Sequence, residues 1–189
     1  MSDHKKLLYK KHDQFDVAEG ELRTLLKYEI KTLIEELKLP DAQDLHILGL
    51  VHYHTSVDIH DIEKAHDYFL SALKKNQDYY MARLYSAHCF HDINKYGLAL
   101  EEYLKVDDEK LRSEFALWRF VKLQEQIGFC YFKLGEKCKA SSYFNSVLEF
   151  YRKENFDELV DPVEIYECLK PSNPIFRELK GIERAYYDN

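Results

Sequence analysis

Residues 65–72 read AHDYFLSA, residues 99–106 read ALEEYLKV and residues 140–147 read ASSYFNSV. In each, a small residue is followed four positions on by an aromatic and three further on by a small or β-branched residue: Ala65, Phe69 and Ala72; Ala99, Tyr103 and Val106; Ala140, Phe144 and Val147. Steps of four and three put such residues on one face of a helix. Their return at offsets of 34 and then 41 residues marks a repeated supersecondary unit. A matching set lies upstream, since Ala87 and Phe90 precede Ala99 with the spacing by which Gly128 and Tyr131 precede Ala140. Gly49 opens the first unit, ahead of a loop four residues longer. The pattern predicts two antiparallel helices per unit, in which Ala or Gly on the first lets the aromatic of the second approach its backbone. One such pair cannot bury its apolar face alone, so the pairs must stack.

These residues resemble the tetratricopeptide-repeat (TPR) family, whose signature runs from Leu-Gly through an aromatic to a later Ala and Phe. The matches are Leu48 and Gly49 with Ala65, Phe69 and Ala72; Ala87, Phe90, Tyr96, Ala99 and Tyr103; and Gly128, Tyr131, Gly135, Ala140 and Phe144. The family's leading Trp is replaced by Leu45, Arg83 and Gln124, and its closing Pro by Gln77, Leu111 and Arg152. The resemblance implies an all-α solenoid of stacked helix hairpins at 41–77, 78–112 and 113–154, preceded by an N-terminal arm and helix (1–40) and followed by capping helices (155–189). Seven extra residues near Asp107 to Ser113 either lengthen a helix by two turns or form a short extra turn.

At the N-terminal end, Leu22, Leu25, Leu26, Ile30, Leu33, Ile34 and Leu37 form a helical stripe, with Asp16 and Glu19 spaced as a capping box and Pro40 as the stop. The stripe serves either packing onto the first repeat or a dimer through Leu22, Leu25, Leu26 and Leu33. Residues before Asp16 are a second helix or a frayed arm. At the other end, Asp161, Pro162 and Glu164 predict the start of a short helix stopped by Pro171. Asn173 and Pro174 start a last helix whose stripe is Phe176, Leu179, Ile182 and Tyr186.

Composition agrees with a helical protein: hydrophobic residues make up 46% and charged ones 32%, with only 6 Gly and 4 Pro, which argues against disorder or a turn-rich sandwich. The opening MSDHKKLLYKKHDQF holds no apolar core of signal-peptide length, and no apolar run reaches membrane-span length, so a cytoplasmic, membrane-free protein is expected. The net charge of −7 disfavours nucleic acid and favours a basic partner. The basic cluster Lys5, Lys6, Lys10 and Lys11 is short and falls in what reads as a mobile arm. Between Lys153 and Lys170 lie Glu154, Asp157, Glu158, Asp161, Glu164 and Glu167, either an acidic patch or a solvated face.

Chemistry finds little to stand on. His52 with His54, and His88 with His91, are the only histidine groupings, and neither His-Glu-x-x-His nor Cys-x-x-Cys is present, so no metal or cofactor is expected. Cys89 and Cys130 occupy equivalent places in their units, which points to packing, and with Cys138 and Cys168 they are expected as free thiols. No nucleophile elbow or phosphate-binding glycine loop occurs. A metal-dependent or His/Cys enzyme is therefore the weaker alternative to a non-enzymatic binding protein.

The resemblance also implies where binding occurs. In tetratricopeptide proteins the first helices of successive units line a groove, which by register carries His46, Leu50, Tyr53 and His54; Met81, Leu84, His88, His91 and Asp92; and Lys122, Glu125, Phe129, Phe132 and Lys133. Phe129 and Phe132 are candidate anchors, unless the chain's own terminal helix fills that place. The carboxylate clamp of chaperone-binding members is not expected, because only Lys122 fits it, while His46, Leu50, Tyr85 and Gln126 stand at the other clamp positions. The expected activity is a scaffold or adaptor for a protein or peptide, or alternatively a secretion-type chaperone or toxin-neutralising immunity protein.

Overall fold

The computed structural model describes residues 3–114, 117–154 and 158–188. Among them are eleven helices and no strand, so the chain is all-α. It divides into two compact units, Met1–Asn94 and Lys95–Asn189.

The first unit holds α1 (Asp3–Val17), α2 (Gly20–Glu35), α3 (Ala42–His54), α4 (Ile59–Lys75) and α5 (Tyr80–Asp92). The stretch before Asp16 is a full helix and no mobile arm: Leu8 and Phe15 are completely buried, with the Arg23 guanidinium 4.8 Å over the Phe15 ring. Lys5 bonds Asp41 at 2.5 Å and Asp44 at 2.9 Å, and Lys11 bonds Glu29 at 2.7 Å, so two of the four lysines are anchored. The expected cap at Asp16 is therefore displaced. Asp16 lies in the last turn of α1, and α2 starts after Glu19, whose side chain makes no cap bond. α2 also stops at Glu35, short of Pro40. The real capping box belongs to α3, where Asp41 Oδ1 accepts from the amides of Gln43 and Asp44 and Asp44 Oδ2 accepts from the Asp41 amide.

α3 and α4 pair as the repeat pattern requires. Ala65, Phe69 and Ala72 are fully buried, and the Phe69 ring lies so close to Gly49 that a Cβ there would stand 2.4 Å from it. Glycine at 49 is what permits that approach.

The second unit holds α6 (Tyr96–Tyr103), α7 (Asp108–Glu114), α8 (Leu117–Lys133), α9 (Lys137–Lys153), α10 (Val163–Cys168) and α11 (Pro174–Tyr187). The seven-residue insertion becomes the separate short helix α7, begun by Asp107 accepting from the Lys110 amide and tied down by the fully buried Leu111. α8 and α9 repeat the first hairpin, with the Phe144 ring against Gly128 as Phe69 lies against Gly49. α11 starts as expected: Asn173 accepts from the Ile175 amide at 2.9 Å and Pro174 takes the first helical position. Its buried face is Ile175 and Leu179, with Ile182 partly covered and Tyr186 exposed, and it packs on α9. No helix among the described residues is long and apolar enough to cross a membrane.

Candidate functional site

In the first unit, α3 and α5 lie side by side and bring together an aromatic and histidine face. Helical spacing brings Tyr53 and His54 on α3 to Tyr85 and His88 on α5. Tyr85 meets Tyr53, His54 and His88 edge-on at 5.7, 6.0 and 5.3 Å between centroids, and Tyr53 stacks on His88 at 6.4 Å. At the end of α5, Asp92 Oδ2 accepts the Tyr53 hydroxyl at 2.6 Å, and its Oδ1 lies 3.4 Å from His91 Nδ1. Burial works to raise the Asp92 carboxyl, but the bonds from His91 and Tyr53 outweigh it and hold the group below its usual value. An ionised carboxylate with 38% of its side chain exposed thus sits at the rim of a ring-lined surface.

Other expected residues of this unit lie inside. His46, Met81 and Leu84 are 5%, 8% and 4% exposed. His46 packs edge-on against Tyr79 and Tyr85, and Leu50 is half-buried in the same cluster. The part of the candidate face that remains at least partly exposed is therefore Tyr53, His54, Tyr85, His88, His91 and Asp92. Tyr85 was absent from the expected groove set, although Met81, Tyr85 and His88 follow steps of four and three on one helix, the signal that would have found it.

In the second unit the expected face of α8 is taken by the chain's own α10. Glu125, 1% exposed, accepts at Oε1 from the amides of Glu164 and Ile165 at 2.9 and 3.2 Å, capping α10 from 39 residues away in sequence. The expected local cap at Asp161 is not used: Pro162 is the N-cap and makes no side-chain bond. Lys122 bonds both Glu125 and Glu164, and Lys133 bonds Glu167 at 2.6 Å. Of the acidic stretch, Glu164 and Glu167 are thus paired, and Asp157 lies outside the described residues. Burial, then the neighbouring Glu164, push Glu125 up to about 8. Burial works against Glu164 too, but Lys122 holds it below its usual value. Two buried carboxyls share one ammonium, and the deeper one keeps its proton more readily. Phe129 is 3% exposed, met by the Lys133 ammonium at 4.7 Å and by Tyr96, while Phe132 is partly buried. These phenylalanines belong to packing within the unit.

The buried thiols Cys89 and Cys130 do not resemble nucleophiles. Burial pushes Cys89 well above its usual value and Cys130 up to about 12, away from the thiolate that attack requires. Among the described residues no three of His, Cys, Asp and Glu gather as a metal site would need.

No family model matches the chain, and no curated protein matches it. Among solved structures it is similar to MamA: a crystal structure of MamA superposes with a TM-score of 0.59 at 22% identity, covering 80% of each chain. A MamA RS-1 ArsTM double mutant superposes with a TM-score of 0.69 at 17% identity, covering 100% of this chain and 99% of that one. At such identities the likeness is one of fold. The chain has the all-helical, tetratricopeptide-like repeat fold.

Proposed function

We propose that this protein is a non-enzymatic scaffold or adaptor that holds a protein or peptide with basic character against the α3–α5 face. The observation that carries this reading is the ordered, ionised Asp92 carboxylate among the rings of Tyr53, Tyr85 and His88. A cation placed there gains from the carboxylate and from the ring faces together. The net charge of −7 draws a basic partner toward the whole molecule. Export-chaperone and toxin-neutralising roles are particular forms of the same binding activity. A helical-repeat fold supports this reading by analogy, since it hosts binding surfaces more often than reaction centres.

Affinity capture with mass spectrometry, run in parallel on the wild-type chain and on a Tyr53→Phe, Asp92→Asn double variant, tests the site. The wild type should enrich a basic protein or peptide that the variant loses. An unchanged captured set, with the variant still folded by circular dichroism, would refute the assignment.

A further inference from the structure

The α1–α2 hairpin carries an apolar surface that packing within its own unit does not use. Leu26, Ile30 and Ile34 of α2 are buried, yet Leu22 and Leu25 on the adjoining face are 56% and 55% exposed. Val17 at the hairpin's turn is 84% exposed, and Tyr28 is 62% exposed. Two depressions open between the helices. One, of about 380 Å³, is lined chiefly by Val17, Ala18, Leu22, Leu25 and Leu26. The other, of about 370 Å³, is lined chiefly by Leu7, Tyr28 and Leu33. Lys11 and Glu29 line both, so their 2.7 Å ion pair stands between two hollows of nearly equal size.

We propose that this face is a two-fold interface between two copies of the chain. An isologous contact requires one patch to complement itself, with ridge opposite hollow and each charge opposite its counter-charge. An axis through the Lys11–Glu29 pair meets that demand: the half-exposed Leu22 and Leu25 side chains of each copy lie over the Leu7–Tyr28–Leu33 hollow of the other, and Lys11 of each faces the second copy's Glu29. The exposed leucines, Val17 and Tyr28 offer apolar area on the order of several hundred Å², the size of the largest apolar patch on a typical monomer, which is often an interaction site. With the polar rim the face approaches the roughly 800 Å² per partner of a stable complex.

Sedimentation of the full chain between about 1 and 100 µM should show a species of twice the 22.6 kDa chain mass. Leu25→Asp, and separately Leu22→Asp, alter exposed positions and should leave the helical signal intact while weakening the dimer at least about tenfold. Lys11→Glu and Glu29→Lys should each dimerise poorly alone, but mixed together they should form a heterodimer, because both cross-copy pairs are then of opposite sign. An ion pair acting only inside each copy would stay broken in both, and mixing would change nothing. A monomer at the highest concentration overturns the proposal, including one that binds an amphipathic helix of another protein there. So does a dimer indifferent to Leu25→Asp, or a mixture that stays monomeric.

Discussion

A methyl added at Gly49 would stand 2.4 Å from the Phe69 ring, and one at Gly128 would stand 2.7 Å from the Phe144 ring. Both rings are fully buried, so neither can swing aside without moving its neighbours. Overpacking of this kind costs about 1–3 kcal/mol, against a gain of up to about 1 kcal/mol from replacing Gly by Ala inside a helix. Gly49→Ala and Gly128→Ala should therefore each lower Tm by several degrees. At Gly181 in α11 an added Cβ meets nothing within 4 Å among the described residues, so Gly181→Ala should raise stability by about 0.5–1 kcal/mol. Thermal melts of the three variants check the contrast in sign. His52 shows a different constraint. It is 8% exposed, neither ring nitrogen meets a hydrogen-bond partner among the described residues, and burial, then the nearby Lys27, push it down to about 4. Between that value and the ordinary value of about 6.5, the unfolded chain binds a proton the native state refuses, so stability is lost as pH falls through this window. Relative to the wild type, His52→Phe should gain up to about 3 kcal/mol between pH 7.5 and pH 4 in urea melts. The small-to-aromatic approach was legible in the sequence, because recurring Gly and Ala opposite an aromatic have one packing meaning. The fate of His52 was not, since one step along α3 separates it from the Tyr53 surface and only the finished packing of its neighbours buries it.

At the scale of elements, the hairpins α3–α4 and α8–α9 and the start of α11 were legible, because helical period, small residues and an Asn-Pro cap are all local signals. Two elements, α1 and α7, were not, and α10 was legible as a short helix but not in what caps it. α1 lacks a strong stripe and is held by Lys5 and Lys11 reaching across to Asp41, Asp44 and Glu29. α7 arises from an insertion whose period is too short to read. α10 begins where Pro162 allows it, but its amides are satisfied by Glu125 on α8, a partner that no local rule can find. The same fact explains why the α8 part of the expected groove is covered: Lys122, Glu125 and Lys133 fit a binding surface by register, and the chain's own α10 satisfies them. Glu125→Ala leaves the amides of Glu164 and Ile165 without their acceptor at a buried position, while Glu164 still pairs with Lys122, and should cost about 2–4 kcal/mol. Glu125→Gln keeps an acceptor for the amides and cannot ionise. Because the native Glu125 carboxyl is raised to about 8, the native state holds a proton that the unfolded state has released, and wild-type stability falls as pH rises from about 4.5 to 8. The Gln variant should therefore gain stability relative to the wild type across that interval, read by chemical denaturation at pH 5 and pH 9. A constant difference would show that Glu125 is ionised in the native state throughout.

At the scale of the whole molecule, each of the two units encloses its own core. In Met1–Asn94, one cluster joins Leu8, Phe15, Ile30 and Val51, and a second joins Ala65, Phe69, Ala82 and Cys89. The boundary falls at Asn94, a turn residue with φ of 60°, where an Asn tolerates the left-handed conformation and the helix α5 has already closed. A repeat architecture makes stability a sum of local terms and neighbour terms, so a segment with two clusters of its own should not need the rest of the chain to collapse. Its length is well above the roughly 40 residues below which a domain requires staples. A chain ending at Asn94 should therefore be helical by circular dichroism and unfold in a cooperative thermal transition, with Ile30→Ala abolishing or lowering that transition by about 2–5 kcal/mol as expected for a fully buried aliphatic side chain. A featureless melt, or a coil spectrum at 10 °C, would mean that the two clusters cannot offset the entropy of ordering five helices, and that the division of the chain into two units is one of geometry without thermodynamic independence.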